Sequence, residues 1–211
     1  MTRLVIFAKA PIAGFAKTRL IPALGAAGAA ALARHMLSHT IKQALAAGAQ
    51  AVELCMSPEA SDPAWQGVPR PKAVEQNDQG NGDLGARMSR AIERGMALQQ
   101  GPVLVIGTDC PELSAAHIAE ASRQLDHHDA VLLPAADGGY VLIGLRVPCP
   151  SLFTDMAWST PTVASETLRR MASLGLRVWQ GPMLHDIDEP ADLERLPAAF
   201  KKPVITPLSM A

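Results

Sequence analysis

Short apolar runs alternate with longer helical patterns along the chain, and this alternation constrains the fold more than any other feature of the sequence. Strands are predicted at residues 4–8, 51–56, 103–107, 130–134, 140–145, 176–179 and 184–187. Helices are predicted at residues 24–47, 84–100, 114–125, 160–174 and 190–196. Strands that alternate with helices form right-handed βαβ units, so we predict an α/β fold in which helices cover both faces of a mostly parallel central sheet.

The length of the chain favours one domain. A chain of 211 residues with 48% hydrophobic residues can bury a sufficient core without disulfides or metal staples. We expect a single domain over residues 1–198 and a tail over 199–211 that lies on the surface. Residues 57–77 contain four prolines and are predicted to form a long connection.

Charge and cysteine content exclude several classes of function. The net charge of −1 does not supply the cationic field that a nucleic-acid-coating or membrane-surface protein needs. Three cysteines without a CxxC spacing argue against a disulfide framework or a zinc ribbon. The longest uncharged run, residues 20–33, has 14 residues and is too short to span a bilayer. We therefore expect a cytoplasmic protein that binds neither nucleic acid nor membranes.

A basic loop follows the first predicted strand. In open α/β sheets ligands bind beyond the carboxyl ends of the strands, which is where this loop lies. It contains Lys9, Gly14, Lys17 and Arg19 in a chain that is nearly neutral. Cations together with backbone N–H groups that a glycine leaves accessible are typical of a phosphate site. The alternative is a solvated basic loop.

Two carboxylates follow later strands. Asp109 comes after the strand at 103–107, and Asp188 comes after the run at 184–187. In extended backbone Asp186 and Asp188 would point to the same face. Because Mg²⁺ prefers carboxylate and phosphate oxygens, Asp109 and Asp188 are candidate ligands of one divalent ion. The alternative is that both cap helices, although Ser114 is already placed to cap the helix after Asp109.

Two glycine-containing segments are ambiguous. Asp137, Gly138 and Gly139 fit a tight hairpin turn, and Tyr140 beside them could present its hydroxyl to a ligand. Residues 80–85 match GxGxxG, but the residues before them are polar and do not predict the buried strand of a dinucleotide site. We therefore interpret this segment as a loop that contacts a nucleobase or ribose through Gly82, Asp83 and Arg87.

Six motifs together resemble one known family. They occur in the order FAKAPIAGFAKTRL, QGNGDLGARM, GTDCPEL, PAADGGYVLIGL, the Trp-Ser-Thr segment at 158–160, and DIDEPADL. Between about residues 4 and 193 the chain resembles the DUF2064 family, also called radical-SAM/selenodomain-associated transferase 1, within the GT-A nucleotide-diphospho-sugar transferase superfamily. The Lys-Thr-Arg-Leu loop is also similar to that of 2-phospho-lactate guanylyltransferases.

The resemblance implies a Rossmann-like three-layer GT-A sandwich with a nucleotide bound over its first strands and a divalent metal, Mg²⁺ or Mn²⁺. By position, Asp109 corresponds to the superfamily's metal-binding aspartate and Asp188 to a second acidic position. The resemblance also assigns the phosphates to Lys9, Lys17 and Arg19, and the sugar or acceptor to Asp137, Gly138, Gly139 and Tyr140. The chain departs from the glycosyltransferase Asp-x-Asp pattern, because residues 108–111 contain a single carboxylate.

The function implied is that of a metal-dependent transferase that uses a nucleotide and a small-molecule acceptor. It transfers either a nucleotidyl group from a nucleoside triphosphate to a small phosphorylated acceptor or a glycosyl group from a nucleoside-diphospho-sugar. Lys17, Asp109 and Asp137 are the expected catalytic residues. The alternatives are a nucleotide-binding module without catalysis, motivated by the single carboxylate, and a less favoured NAD-binding Rossmann protein.

Overall fold

One sheet of seven strands forms the centre of the computed structural model, which describes residues 2–201. The strands are β1 (Arg3–Lys9), β2 (Ala51–Ser57), β3 (Glu75–Asp78), β4 (Val103–Ile106), β5 (Ala130–Pro134), β6 (Tyr140–Leu145) and β7 (Val178–Gln180). Their spatial order is β3-β2-β1-β4-β6-β5-β7. β6 runs antiparallel to β4 and β5, whereas the other neighbouring strands pair in parallel. The predicted α/β fold with a mostly parallel sheet is confirmed.

Helices cover both faces of this sheet. They are α1 (Ile21–Ala46), α2 (Leu84–Gln99), α3 (Ala115–Gln124), α4 (Val163–Ser173) and the short α5 (Ala198–Lys201). Residues of α1 and α3 share a buried cluster with Leu4 and Ile6 of β1, and residues of α2 and α4 share another with Val5. Alternate side chains of one buried strand thus face two separate cores, as pleating requires. This gives three layers.

The sequence did not reveal β3. Residues 75–78 read Glu-Gln-Asn-Asp and are mostly exposed, and they pair with β2 at the edge of the sheet. We predicted a loop there because polar residues normally argue against a strand. An edge strand needs only its backbone to pair on one side, so its side chains can stay in water.

Three other predicted elements need correction. The run at 184–187 is not a strand, because only Leu184 makes an isolated bridge, to Ala135. Helix α4 begins at Val163, with Thr162 at the N-cap position, rather than at residue 160. The predicted closing helix is a 3-10 helix over Pro190–Arg195.

The amino-terminal helix is both long and apolar. Thr18–Ala46 is the one segment among residues 2–201 whose length and mean hydropathy of 1.3 would suffice to cross a membrane. The backbone at Gly25 is not helical, and beyond it Leu37 and Ile41 pack into the core of the sheet. The helix therefore serves in this fold as a cover for one face of the sheet.

The packed part of the chain extends past the predicted boundary at residue 198. Phe200 of α5 is 2% exposed and stacks on His35, with 4.5 Å between ring centroids, while His39 meets its edge. The expectation that the tail lies on the surface from residue 199 is therefore wrong for Phe200. Residues 202–211 lie outside the described part of the chain.

Phe200→Ala is expected to destabilise the protein by about 3 kcal/mol, because it removes a buried ring from the contact with α1. Phe15→Ala is the matched control, since Phe15 is 79% exposed, and its effect should stay within about 0.5 kcal/mol. Urea unfolding followed by circular dichroism measures both. Equal effects of the two variants would contradict the packing of α5.

Candidate active site

The basic loop after β1 turns Lys17 back toward the body of the protein. Lys17 has a left-handed backbone, with φ 48° and ψ 47°, directly before a 3-10 helix over Thr18–Leu20. A non-glycine residue adopts this conformation only where its surroundings enforce it. The side chain of Lys17 is 6% exposed, so a cation from a loop has become one of the more buried charges of the molecule.

Lys17 joins the two carboxylates that the sequence singled out. Its Nζ lies 2.5 Å from Oδ1 of Asp109 and 2.7 Å from Oδ1 of Asp188. It also donates a hydrogen bond of 2.7 Å to the carbonyl oxygen of Ile187. Burial alone would lower the pKa of Lys17, but the two carboxylates outweigh it and raise that pKa above its usual value. The ammonium group is therefore charged and fully partnered.

Backbone contacts explain how residues 79 positions apart meet. Asp109 follows β4, and its carbonyl oxygen accepts a hydrogen bond of 2.8 Å from the N–H of Ile187. The carboxylate of Asp192 accepts from the N–H groups of Asp188 and Glu189 and so orders the turn. Ser114 caps α3 through the N–H of His117, so the carboxylate of Asp109 is not needed as a cap.

A further aspartate, Asp186, lies beside this centre, and the pKa values of both Asp186 and Asp188 are raised. Burial, followed by the charges of Asp109, Asp188 and Asp137, raises the pKa of Asp186 to about 7, and Lys17 opposes that shift. Burial and the charge of Asp109 also raise the pKa of Asp188, against the effect of Lys17. The site thus carries more negative charge than its one buried cation balances. From the sequence Asp186 was predicted only to share a face with Asp188, and it was not among the predicted site residues.

A cleft of about 380 Å³ opens beside the aspartates. Its lining is mixed in charge and consists of Arg19, Ala136, Asp137, His185, Asp186, Asp188, Glu189, Asp192 and Arg195. Arg19 is largely exposed and lies 3.7 Å from Glu189. The backbone N–H of His185 donates a hydrogen bond of 3.0 Å to Oε2 of Glu112, and its ring Nδ1 lies 3.2 Å from the same oxygen. The cleft is large enough for a small polar molecule.

Asp186→Asn is expected to stabilise the metal-free protein at about pH 8 by roughly 1–2 kcal/mol and to have little effect below about pH 4. The pKa of Asp186 in the folded state, about 7, lies above the unfolded value of about 3.9. Ionisation therefore disfavours folding, and wild-type stability falls between these values as pH rises. Thermal unfolding in EDTA across this range measures the difference, and a pH-independent effect would contradict it.

The chemistry of the aspartates fits a divalent metal that brings some of its own ligands. Within residues 2–201 no group of three histidine, cysteine or acidic side chains is arranged to hold a metal by itself. Mg²⁺ commonly takes one or two protein carboxylates and completes its shell with water and phosphate oxygens. Asp109 and Asp188 match that requirement, because they approach one point from two sides and leave an excess of negative charge.

The residues predicted to contact a base do not line this cleft and have local partners. The carboxylate of Asp83 accepts from the N–H of Ala86 and caps α2. The guanidinium of Arg87 donates to the carbonyl of Gly82 and contacts the side chain of Gln79. The GxGxxG segment does follow a strand, β3, but an exposed one at the edge of the sheet. Arg87 thus helps to fix its own loop, and its predicted contact with a nucleotide stays a prediction.

In the turn at residues 137–140, Asp137 faces the cleft whereas Tyr140 packs against the core. Asp137 lines the cleft, and its carboxylate accepts from the N–H of Gly139. Gly138 has φ +91° and accepts a hydrogen bond from the N–H of Ala164. The predicted presentation of the Tyr140 hydroxyl to a ligand is wrong, because that hydroxyl points into the core under α2, 3.9 Å from Sδ of Met88. Burial raises the pKa of Tyr140 above its usual value.

The rest of the basic loop stays near the surface. Lys9 is the exposed last residue of β1, and Gly14 adopts φ +84° next to the exposed Phe15. The structure therefore brings together Lys17, Asp109 and Asp188, with Arg19 and Asp137 at the adjoining cleft. Lys9 and Gly14 lie in the same loop region, where their predicted contact with phosphates stays a prediction.

A family model matches residues 40–160 of the chain. It is described as an uncharacterized protein conserved in bacteria, DUF2064. The match spans more than half of the chain. The chain belongs to this family. The resemblance that the motifs indicated is therefore confirmed for DUF2064.

Solved structures share the fold of this DUF2064 protein. A protein of Desulfovibrio desulfuricans G20, provisionally described as a nucleotide-diphospho-sugar transferase, is 30% identical, with 89% of this chain and 82% of that chain covered and a TM-score of 0.83. A nucleotidyl transferase of Methanothermobacter is 17% identical, covering 96% and 99%, with a TM-score of 0.59. Rv0371c of Mycobacterium tuberculosis H37Rv in complex with manganese is 15% identical, covering 92% and 96%, with a TM-score of 0.53. None of the curated proteins matches the sequence.

Proposed function

We propose that the DUF2064 protein is a metal-dependent nucleotidyltransferase that joins a nucleotidyl group from a nucleoside triphosphate to a small acceptor carrying a phosphate or carboxylate group. One observation carries the proposal. Lys17 of the loop after β1 meets Asp109 and Asp188 beyond the carboxyl ends of neighbouring strands, beside a cleft that suits a small molecule. The fold shared with a nucleotidyl transferase of Methanothermobacter supports this choice.

The chain's own residues would act by position and charge. An oxygen of the acceptor attacks the α-phosphorus of the triphosphate, the bond to the bridging oxygen breaks, and pyrophosphate leaves. Lys17 offers a buried cation to the phosphates, and Arg19 stands at the mouth of the cleft with a second one. The main contribution of an enzyme to such a step is positive charge that is already positioned where negative charge develops in the transition state.

Asp109 and Asp188 would hold the divalent ion, Mg²⁺ or Mn²⁺. When bound, such an ion neutralises phosphate charge and orients the group that is transferred. The manganese complex of Rv0371c shows that a protein of this fold can bind manganese.

The acceptor would occupy the cleft. Its arginines, Arg19 and Arg195, can bind an anionic group, and Asp137 can accept hydrogen bonds from hydroxyls. The five carboxylates of the lining outnumber these two arginines, so an anionic acceptor would need the arginines and the bound metal as its counter-charges, while its hydroxyls face the carboxylates. Lys9, Gly14, Gly82 and Asp83 would contact the nucleotide from the surrounding loops.

Glycosyl transfer is the second candidate, favoured by the description of the 30%-identical relative. The single carboxylate at 108–111 counts against it. The two reactions are separated by their products: each nucleoside triphosphate and each nucleoside-diphospho-sugar is incubated with Mg²⁺ or Mn²⁺ and a panel of small sugar phosphates and hydroxy acids. Pyrophosphate and a nucleotidylated acceptor support the proposal, whereas release of nucleoside diphosphate supports glycosyl transfer. Nucleotide binding without either product would make the protein a binding module.

A further inference from the structure

We infer that Lys17 is an internal counter-ion which occupies the metal-binding point of the site and must leave it before a divalent ion can bind. The inference rests on the proposed function, because it takes Asp109 and Asp188 as the residues that hold the metal. It adds that the protein alone binds the metal weakly, because Lys17 competes for the same oxygens, and that metal and triphosphate favour each other's binding.

The ammonium group of Lys17 already lies at the point where the two carboxylates meet. Nζ of Lys17 lies between Oδ1 of Asp109 and Oδ1 of Asp188, at 2.5 and 2.7 Å. A cation bridging two carboxylates fills the place at which a second cation would take the same oxygens. Two cations cannot share this point, because their repulsion would be strong at such short separation.

The carbonyl of Ile187 completes the arrangement. It accepts a hydrogen bond from Nζ at 2.7 Å, so three oxygen atoms, one each of Asp109, Asp188 and Ile187, lie within 2.7 Å of the ammonium nitrogen. The left-handed backbone of Lys17 and the 6% exposure of its side chain show that this inward position is enforced. A lysine that served only to attract phosphate from solvent would need neither a left-handed backbone nor a buried side chain.

A bound nucleotide would offer the ammonium group of Lys17 other partners. When a triphosphate enters, its oxygens can replace the carboxylates as partners of the ammonium, and the same phosphates supply ligands that Asp109 and Asp188 cannot provide to a metal alone. Binding of the triphosphate therefore strengthens binding of the metal, and binding of the metal strengthens binding of the triphosphate by the same factor.

The test measures binding of Mn²⁺ alone, without nucleotide, by the loss of the free-ion signal in electron paramagnetic resonance. Lys17→Met removes the charge and keeps most of the side-chain volume, and it should bind Mn²⁺ at least about tenfold more tightly than the wild type. Lys42→Met is the matched control: it removes the same charge from an exposed position on α1 and should leave the affinity unchanged. Lys17→Arg retains a cation and should show no comparable gain.

Thermal unfolding provides a readout that needs no activity. In EDTA, Lys17→Met should melt below the wild type, since the carboxylates of Asp109, Asp186 and Asp188 then lack their cation, and Mn²⁺ should raise its melting temperature more than that of the wild type. A variant that folds only with Mn²⁺ would support the inference as well.

A measurement on the wild type covers the case in which Lys17→Met does not fold at all. An amine-reactive reagent with mass-spectrometric detection should label Lys17 slowly in EDTA and several-fold faster when Mn²⁺ saturates the protein, while labelling of Lys42 stays constant. Unchanged labelling of Lys17, or Mn²⁺ affinity in a folded Lys17→Met no higher than in the wild type, would overturn the inference.

These outcomes are independent of the proposed reaction. If no nucleotide is bound or turned over but Lys17→Met gains Mn²⁺ affinity, the counter-ion role stands and the proposed function fails. If the wild type already binds Mn²⁺ as tightly as Lys17→Met and is an active transferase, the function stands and the counter-ion role fails.

Discussion

Asp109→Asn is expected to lower kcat/KM by at least about 10³-fold, which corresponds to about 4 kcal/mol of transition-state stabilisation. The amide has the size and shape of the carboxylate but neither its charge nor its affinity for a hard cation. The variant should fold normally, because Lys17 keeps its contacts with Asp188 and with the carbonyl of Ile187. Loss of one ion pair from a half-exposed carboxylate costs at most about 1 kcal/mol.

The comparison that isolates this effect is Asp126→Asn. Asp126 is an exposed residue after α3, away from the cleft, and its replacement removes the same charge from the molecule. Both variants are assayed with the donor and acceptor that the product analysis identifies, at saturating Mg²⁺, and their melting temperatures are recorded alongside. More than about a tenth of wild-type activity in a folded Asp109→Asn would remove Asp109 from the proposed mechanism.

The sequence predicted that Lys17 and Asp109 lie together beyond the carboxyl ends of the strands, but it did not predict the edge strand β3. Strands β1 and β4 are continuous apolar runs, because both faces of a central parallel strand are buried, and the rule that ligands bind at their carboxyl ends located Lys17 and Asp109. The edge strand β3 was missed because its side chains are mostly exposed and form no apolar run. Its four polar residues are held by backbone pairing with β2, which leaves no pattern in the side chains.

The details inside the site depended on side-chain direction, which spacing does not give. Tyr140 was expected at the ligand because it stands beside two glycines, yet it is the first residue of β6 and its side chain enters the core. Asp186 appeared to be a companion of Asp188, but its pKa is raised first by burial and then by the charges of Asp109 and Asp137, which come from distant parts of the chain, and of Asp188. Only the folded arrangement brings those charges together.

Gly138→Ala is expected to destabilise the protein by at least about 3 kcal/mol. An added Cβ would lie 2.0 Å from the carbonyl oxygen of Pro161 and 2.4 Å from its carbon, and backbone atoms cannot yield as the end of a flexible side chain can. The backbone of Gly138 at φ +91° is in addition unfavourable for alanine. Relief of the clash must push the 160–164 segment away and break the bond from the N–H of Ala164 to the carbonyl of Gly138, now 2.8 Å long.

The adjacent glycine is the control for this experiment. Gly139 lies in the same turn, but a Cβ there would meet only the Asp137 side chain, at 3.2 Å, and that side chain can turn aside. Gly139→Ala should therefore cost less than about 1 kcal/mol. Urea unfolding of both variants measures the difference, and equal losses would show that the turn tolerates a change of path at Gly138. Because Asp137 of this turn lines the cleft, a large loss confined to Gly138→Ala would also show that packing against the 160–164 segment is what holds one wall of the site in place.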